Sequence, residues 1–301
     1  MRATAGQVVQ LCKGHTQEDM IKPPPQPLHV LFRFLRSNAR RHMSASGYCP
    51  KCDTTHRLPT TMEARHQAQL LHQTLRSKNP PFTISRRGKM VGVLLCQDSE
   101  GRHKTLKAFA GSVNGKWYLN GWSPVVGGKG TAPNELPTYV NIQNTQNKLQ
   151  VEQNDLAQRL RDCPPSASDA DIALIRLELK EMIDKRRQLA WTALKETRKH
   201  QHVSNFCGEV DLLQHVFARN TRQPATDGSK AERQRIKMPA GAGDCCAPKL
   251  LADAARQDLT PLAIAEIFVG DTTMKKEGEF YSSCKERCQP VLGFMLCGLE
   301  E

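Results

Sequence analysis

Two groups of cysteine residues near the end of the chain place the strongest constraint on how it can fold. Cys245 and Cys246 stand at the start of a helix-like segment, and Cys284 and Cys288 begin a later one. Between them, the apolar run Pro261 to Val269 has the composition of a buried strand. A strand between two thiol groups can bring sulfurs from distant parts of the chain to one point. In a reducing compartment, thiolates gathered in this way usually bind zinc.

The simplest metal site joins Cys245 with Cys284 and Cys288 and leaves the fourth position to water. Cys284 and Cys288 are four residues apart, so one helical turn puts both sulfurs on the same face. A site with an open position also needs a carboxylate close to the water if it is to be catalytic. Asp244 and Glu266 are the two candidates for this role.

The order of these features is similar to that of zinc-dependent nucleobase deaminases: a hairpin, a ligand at a helix start, a strand, and paired cysteines at the next helix start. Those enzymes place a glutamate two residues after the first ligand and have two residues between their paired cysteines. Here the glutamate position is Ala247, and three residues separate Cys284 from Cys288. The segment Cys207 to Glu209 has ligand-then-acid spacing but fits the following strand less well. A structural zinc site or a thiol-lined core stays open as the alternative.

A second metal site is predicted in the segment Tyr48 to His56. Cys49 and Cys52 are separated by two residues on a tight turn, as in a zinc knuckle, and His56 is a fitting third ligand. The fourth ligand is not evident from the sequence. His66 is one candidate, and a cysteine from elsewhere in the chain is another. Two free cysteines in a turn are the alternative interpretation.

The cysteine content and the first residues of the chain bear on the compartment. Eleven cysteines is an odd number, and residues 1–27 lack the apolar segment of a secretory signal. We therefore expect an intracellular protein with reduced thiols and no disulfides. Leu28 to His42 is basic and free of acidic residues, which fits either a transit peptide or a helix that touches RNA, so cytoplasm and organelle both stay open. No run of ~18 apolar residues occurs, so no membrane partner is expected.

The net charge of the chain is +13, with a pI of about 9.3, and such an excess favours a nucleic-acid partner. The predicted phosphate contacts come from basic residues of a helical arm and of the loop that follows later in the chain: Arg186, Arg187, Lys195, Arg198, Lys199, Arg233, Arg235 and Lys237. Trp117, Tyr118 and Trp122 could stack on bases, although residues of this kind more often close the end of a core.

The apolar patterns predict an α+β fold, with a small antiparallel sheet packed with helices and a projecting basic helical hairpin. A meander of three strands is expected over Lys89 to Cys96, Thr105 to Gly111 and Lys116 to Trp122, and a short helix over Phe206 to Phe217. The predicted organisation has four parts: a weakly ordered basic lead-in (1–46), a knuckle and meander region (47–133), a coiled-coil-like hairpin (134–204), and a cysteine-rich unit that completes the core (205–301).

Several phrases of the sequence, taken in order, resemble the N-terminal accessory region of long RluA-type RNA pseudouridine synthases. They are GKMVGVLLCQDSEGRHKTLKAFAGSVNG, PAGAGDCCAPKLLADAARQDLTPLAIAEIFVG and GEFYSSCKERCQPVLGFMLCG, together with the knuckle phrase. The resemblance implies an RNA-modification setting. In that family a separate C-terminal domain carries the catalytic aspartate in a His-Arg-Leu-Asp motif. The nearest tetrapeptide here, His56 to Pro59, has proline in place of that aspartate.

These observations leave three hypotheses for function. The resemblance favours a non-catalytic, zinc-containing RNA-binding accessory module, with the synthase domain supplied by another chain or by a longer protein. The order of ligands favours a divergent zinc-dependent deaminase. The hairpin alone is also compatible with a structural module that docks onto another protein.

Overall fold

A computed structural model describes residues 44–84, 87–221, 237–270 and 272–299. The predicted helix within Leu28 to His42 lies outside these residues, as does almost all of the predicted lead-in. The strands are β1 (Ser44–Cys49), β2 (Thr54–Pro59), β3 (Lys89–Gln97), β4 (His103–Phe109), β5 (His202–Ser204), β6 (Val210–Leu212) and β7 (Thr260–Val269). The helices are α1 (Met62–Arg76), α2 (Pro137–Arg161), α3 (Asp169–Arg198), α4 (Leu213–Asn220), α5 (Cys246–Arg256) and α6 (Gln289–Met295). These elements confirm the predicted α+β class.

The main sheet has three antiparallel strands in the order β4–β3–β7. The apolar run of β3 is buried on both faces because β4 and β7 flank it and helices cover each side. The predicted third strand over Lys116 to Trp122 is wrong. Gly115 and Gly121 both have positive φ, which bends this segment, and Trp122 turns inward instead of continuing a ladder.

Two apolar cores lie on opposite faces of the sheet. On one face α1 packs against the odd-numbered residues of β3, and the rings of Phe82, Phe109 and Trp122 meet with centroids 5.3–5.6 Å apart. Trp122 therefore closes a core and does not offer a stacking surface. The other face carries α5, α6, α4 and the inward residues of β1 and β2.

Helices α2 and α3 form the predicted antiparallel hairpin. Ile142, Leu149 and Leu156 are buried at intervals of seven residues, which is the spacing of a coiled-coil seam. Ser168 caps α3 by accepting a hydrogen bond from the backbone N–H of Asp171. At 30 residues α3 is about 45 Å long. Its charges are almost balanced, with seven lysines and arginines against six aspartates and glutamates.

The short helix α6 lies directly against β1. A side chain at Gly293 would come within 2.0 Å of the carbonyl oxygen of Tyr48, and one at Gly47 within 2.3 Å of the backbone nitrogen of Gly293. Glycine at both positions therefore permits backbone-to-backbone contact. Cys288 precedes α6 and Cys297 follows it, so the two ends of the helix deliver one cysteine each.

The segment after the hairpin differs from the expected helix over Phe206 to Phe217. Strands β5 and β6 form a small antiparallel ribbon there, and α4 begins only at Leu213. Gly208, with φ of 83°, makes the turn between the two strands. Among the described residues, none of the helices has both the length and the apolar character that crossing a bilayer requires.

Candidate metal centres

The first cluster of potential ligands is formed by Cys49, Cys52, His56 and Cys297, and we name it the knuckle centre. One donor atom from each of these residues lies within 4.8 Å of all the others, so the cluster could hold a metal ion. Cys49 is the last residue of β1, and the turn that follows supplies Cys52. His56 comes from β2, and Cys297 from the chain after α6. The Sγ atoms of Cys52 and Cys297 are 3.4 Å apart.

The predicted ligands of the knuckle centre are thus brought together, and the structure answers the question of the missing one. Cys297 occupies the position for which His66 was a candidate. The sequence carried a weak signal for it, because Cys297 is followed by Gly298, whose φ of 93° is typical of a ligand turn. Nothing in the local pattern, however, ties Cys297 to a turn 245 residues earlier.

The second cluster contains Cys245, Cys284 and Cys288, and we name it the three-thiol centre. Their sulfurs also lie within 4.8 Å of one another. The Sγ atom of Cys284 is 3.9 Å from that of Cys245 and 3.1 Å from that of Cys288. Within the described part of the chain, no fourth cysteine, histidine, aspartate or glutamate donor meets the same distance limit. This centre could hold a metal ion with three protein ligands.

Each thiol of this centre is placed by a defined element. Cys245 is the N-cap of α5 and Cys288 is the N-cap of α6. Cys284 and Cys288 lie on one helical turn, since the N–H of Cys288 donates to the carbonyl of Cys284 at 3.2 Å. The predicted same-face arrangement of these two sulfurs is therefore present.

The thiols of the three-thiol centre differ in acidity. Hydrogen bonds with the thiols of Cys245 and Cys288, and from the N–H groups of Arg287 and Cys288, hold the pKa of Cys284 far below its usual range. Its contacts with Cys284 raise the pKa of Cys245 to about 12, and burial adds to the effect. One negative charge is thus favoured on Cys284 even before a cation enters, which suits a metal ligand.

Glu266 lies on the α5 face of β7, next to the three-thiol centre. It is only 8% exposed, and its carboxylate accepts a hydrogen bond from the backbone N–H of Ala247 in the first turn of α5. Burial and the negative charge of Cys284 raise the pKa of Glu266 to about 7. Opposite Glu266, Gly92 lets α5 approach the sheet, because a side chain there would come within 2.9 Å of Cβ of Cys246.

Asp244, the other candidate carboxylate, has a different environment. Burial raises its pKa, while the positive charges of Lys249 and Arg287 act in the opposite direction. Lys249 is fully buried and donates to the carbonyls of Phe109 and Gly111, at 3.0 and 2.8 Å. This lysine seats α5 on the end of β4.

A cavity of about 560 Å³ adjoins the loop that leads into the three-thiol centre. Asp244 lines it on that side, and Lys237 to Ala242 continue its wall. Trp117, Tyr139 and Trp191 contribute aromatic rings to the lining. The cavity thus combines planar apolar surfaces with a carboxyl group that lies next to Cys245 in the chain.

Several of the predicted phosphate-binding residues have partners within the protein. The guanidinium of Arg186 contacts the side chain of Gln153 inside the hairpin, and that of Arg198 donates to the carbonyls of Met238 and Pro239. Arg187 and Lys199 form ion pairs with Asp184 and Glu196, at 2.8 and 2.7 Å.

Four of the predicted cations are exposed: Arg187 and Lys199, which are ion-paired, and Lys195 and Lys237. Arg233 and Arg235 lie outside the described residues. Because the helical-arm arginines 186 and 198 have structural partners, the hairpin is a weaker candidate for backbone binding than its sequence indicated.

Comparison of the chain with protein-family models, with curated proteins and with solved structures found no significant match.

Proposed function

We propose that the three-thiol centre binds zinc and that the protein is a zinc-dependent hydrolase that removes an amino group from a nucleobase. The observation that carries this proposal is the convergence of Cys245, Cys284 and Cys288 beside the buried carboxyl of Glu266. Three protein ligands and a nearby carboxylate are what a catalytic zinc site requires, whereas a structural site normally has four ligands.

The sulfur spacing fits zinc. With Zn–S bonds of about 2.3 Å, a tetrahedral site has sulfurs about 3.8 Å apart. The separation of 3.9 Å between Cys245 and Cys284 is close to this value, whereas that of 3.1 Å between Cys284 and Cys288 is shorter, so these two side chains would have to rotate apart to bind zinc together. Thiolate ligands also favour zinc over magnesium or calcium.

The order of elements around the centre supports a deaminase-type reaction. The hairpin β3–β4 precedes Cys245 at the start of α5, then come β7 and the paired cysteines, as in zinc-dependent deaminases. Ala247 replaces the usual glutamate on the helix, but Glu266 reaches the same helix end from the neighbouring strand. Glu266 thus provides a carboxylate at a similar place in the fold, although it comes from a different position in the sequence.

Glu266 would move the proton in this reaction. Zinc in such a site supplies Lewis-acid activation of a water molecule. Glu266 would accept a proton as the water oxygen bonds to the amino-bearing ring carbon, and would return it to the departing nitrogen. The C–N bond breaks and ammonia leaves, and the added hydroxyl group passes its remaining proton to the adjacent ring nitrogen, so that a carbonyl group remains on the ring. The aromatic cavity beside Asp244 has planar walls, but its lining includes none of the three thiols and not Glu266, so it adjoins the centre without containing it.

Ammonia release tests the proposal. Zinc-loaded protein is incubated with amino-bearing bases as free bases, as nucleosides and within single-stranded RNA. We expect release from at least one of them, and loss of release in Cys284→Ser. Cys163→Ser is the matched control, since Cys163 lies in the α2–α3 loop outside both clusters. Protein with a full zinc complement at the three-thiol centre that is inactive on all these substrates would refute the assignment.

A second candidate function is the RNA-binding accessory module that the resemblance to pseudouridine synthases implies. The net charge of +13 and the exposed Lys195 and Lys237 support it. RNA affinity should fall steeply with salt, because each neutralised phosphate releases counterions. Lys195→Gln and Lys237→Gln should each reduce the salt slope by about one. The ion-paired Lys199→Gln serves as the comparison, and binding that does not change with salt would exclude this function.

A further inference from the structure

We propose that Cys207 is a ligand of the knuckle centre, which then holds its metal ion through four thiolates from Cys49, Cys52, Cys207 and Cys297. In this arrangement Cys207 replaces His56 of β2 as the fourth ligand, although a ring nitrogen of His56 also lies within 4.8 Å of the sulfurs of Cys49, Cys52 and Cys297. The inference concerns the centre on the opposite end of α6 from the proposed catalytic site, and it is independent of the deaminase proposal.

The sulfur distances carry the argument. The Sγ atom of Cys207 is 3.8 Å from that of Cys297, which equals the separation of about 3.8 Å expected for two thiolates on one tetrahedral zinc ion. Cys297 also contacts the sulfurs of Cys52, at 3.4 Å, and of Cys49. Cys297 therefore touches every other thiol of the set, including that of Cys207.

The backbone around Cys207 repeats a shape that occurs at two other ligands. Cys52, Cys207 and Cys297 are each followed directly by a residue in the left-handed region, with φ of 52° at Asp53, 83° at Gly208 and 93° at Gly298. Such a residue turns the chain so that the next N–H groups can face a negatively charged sulfur. None of the three residues that follow Cys245, Cys284 and Cys288 has a positive φ. This backbone shape therefore occurs at the knuckle centre and not at the three-thiol centre.

The loop that carries Cys207 is fixed in place by other contacts. The side-chain oxygen of Asn205 accepts hydrogen bonds from the N–H groups of Cys207 and Glu209, at 3.1 and 2.8 Å. The N–H of Phe206 donates to the carbonyl of Cys297 at 2.9 Å. Lys51, between the two knuckle cysteines, forms an ion pair with Glu209 at 2.5 Å. These contacts connect the Cys207 loop to both neighbouring ligand loops.

Charge also fits a four-thiolate shell. Four thiolates and a divalent ion leave an excess of two negative charges. The ammonium of Lys51 lies close enough to Cys207 and Cys297 to interact with both, which offsets part of this excess. A lysine beside the sulfurs would be of less value to a shell in which neutral histidine replaces one thiolate.

The test uses the full chain loaded with ¹¹³Cd, because each centre then gives its own NMR resonance and each added thiolate moves that resonance downfield. We expect the knuckle centre to resonate in the four-thiolate region. In His56→Asn that resonance should stay, with metal affinity within about twofold of the wild type. In Cys207→Ser it should move upfield or vanish, with more than a tenfold loss of affinity in chelator competition, since even outer-shell changes cost 10–100-fold.

The result that would overturn the inference is a knuckle resonance that shifts upfield in His56→Asn and is unchanged in Cys207→Ser. If Cys207→Ser does not fold, the wild-type resonance and the His56→Asn variant still decide between four thiolates and three thiolates with histidine. Cys163→Ser, outside both clusters, should leave both resonances unchanged.

Discussion

The two centres use the same kind of ligand in different surroundings. The knuckle centre lies among tight turns at the end of a two-stranded ribbon, and it has the four potential ligands that a structural site needs. The three-thiol centre lies at the ends of α5 and α6 against the main sheet, has three ligands, and has Glu266 beside it. The number of thiols therefore does not distinguish the two centres. The number of ligands and the presence of a nearby carboxyl group do.

Glu266→Gln should give the largest effect and tests the reactive side of the comparison. The amide keeps the shape of the side chain but cannot carry the proton, so ammonia release should fall by about 10²–10⁴-fold. Zinc content and Tm should stay near wild-type values, because all three thiols remain. Unchanged ammonia release in this variant would show that Glu266 is not the shuttle and would leave Asp244 as the carboxylate to replace.

Cys52→Ser tests the structural side. Losing the knuckle metal should lower the free energy of unfolding by about 3 kcal/mol or more, since metal binding at such sites is folding free energy. For a chain of this size that is a fall of roughly 6–12 °C in Tm, measured by calorimetry. The three-thiol centre should keep its zinc. If Cys52→Ser is as stable as Cys163→Ser, the knuckle centre does not stabilise the fold.

Lys249→Met tests whether metal binding at the three-thiol centre depends on the contact between α5 and the end of β4. The variant removes the hydrogen bonds to the carbonyls of Phe109 and Gly111 and leaves both carbonyl groups without the lysine donor. The free energy of unfolding, measured in urea, should therefore fall by about 2 kcal/mol. Zinc affinity should fall at the three-thiol centre and not at the knuckle centre. Lys148→Met, on the exposed side of α2, is the control and should change neither quantity. An equal loss at both centres would contradict their separate anchoring.

The smallest predicted effect is a pH dependence of the stability, which arises from Glu277 in the segment between β7 and Cys284. Hydrogen bonds from Arg76, from the N–H of Gly270 and with His72 lower the pKa of Glu277 to about 2, against an ordinary value of 4.5. This contribution to stability is therefore complete above about pH 4.5 and is lost as the pH falls towards 2. Because the side chain is about one-third exposed, we expect only about 1–2 kcal/mol after solvent screening.

Urea unfolding between pH 6 and pH 3 measures this term as a difference between variants. Glu277→Gln should flatten the acid dependence, whereas Glu279→Gln, at a neighbouring exposed glutamate, should not. The same slope in the wild type and in Glu277→Gln would mean that this loop is not held to α1 by its charge.

The local patterns predicted much of the fold and of both sites. Regular apolar spacing located the hairpin, because burial on one face requires that spacing, and continuous apolar runs located β3 and β7, which are buried on both faces. The residues of the three-thiol centre were also predictable, since Cys284 and Cys288 share a turn and β7 returns the chain towards them.

What failed depends on contacts between distant segments. Cys297 joins the knuckle only because Gly47 and Gly293 let α6 lie against β1. The segment 116–122 has strand-like residues, but burial of Trp122 against Phe82 and Phe109 outweighs their strand preference. The side chains of Arg186 and Arg198 read as free cations until their partners are known.

Helix α6 has a consequence for how metal ions would enter the two centres. Cys288 and Cys297 flank its seven residues, so about 13 Å of rigid backbone links the two centres. An ion captured at either end fixes the orientation of the helix and so pre-arranges a donor at the other. The protein would then lose less conformational entropy when the second ion binds, so the two binding events would be cooperative. Because coupling is reciprocal, each ion would raise the affinity for the other by the same factor.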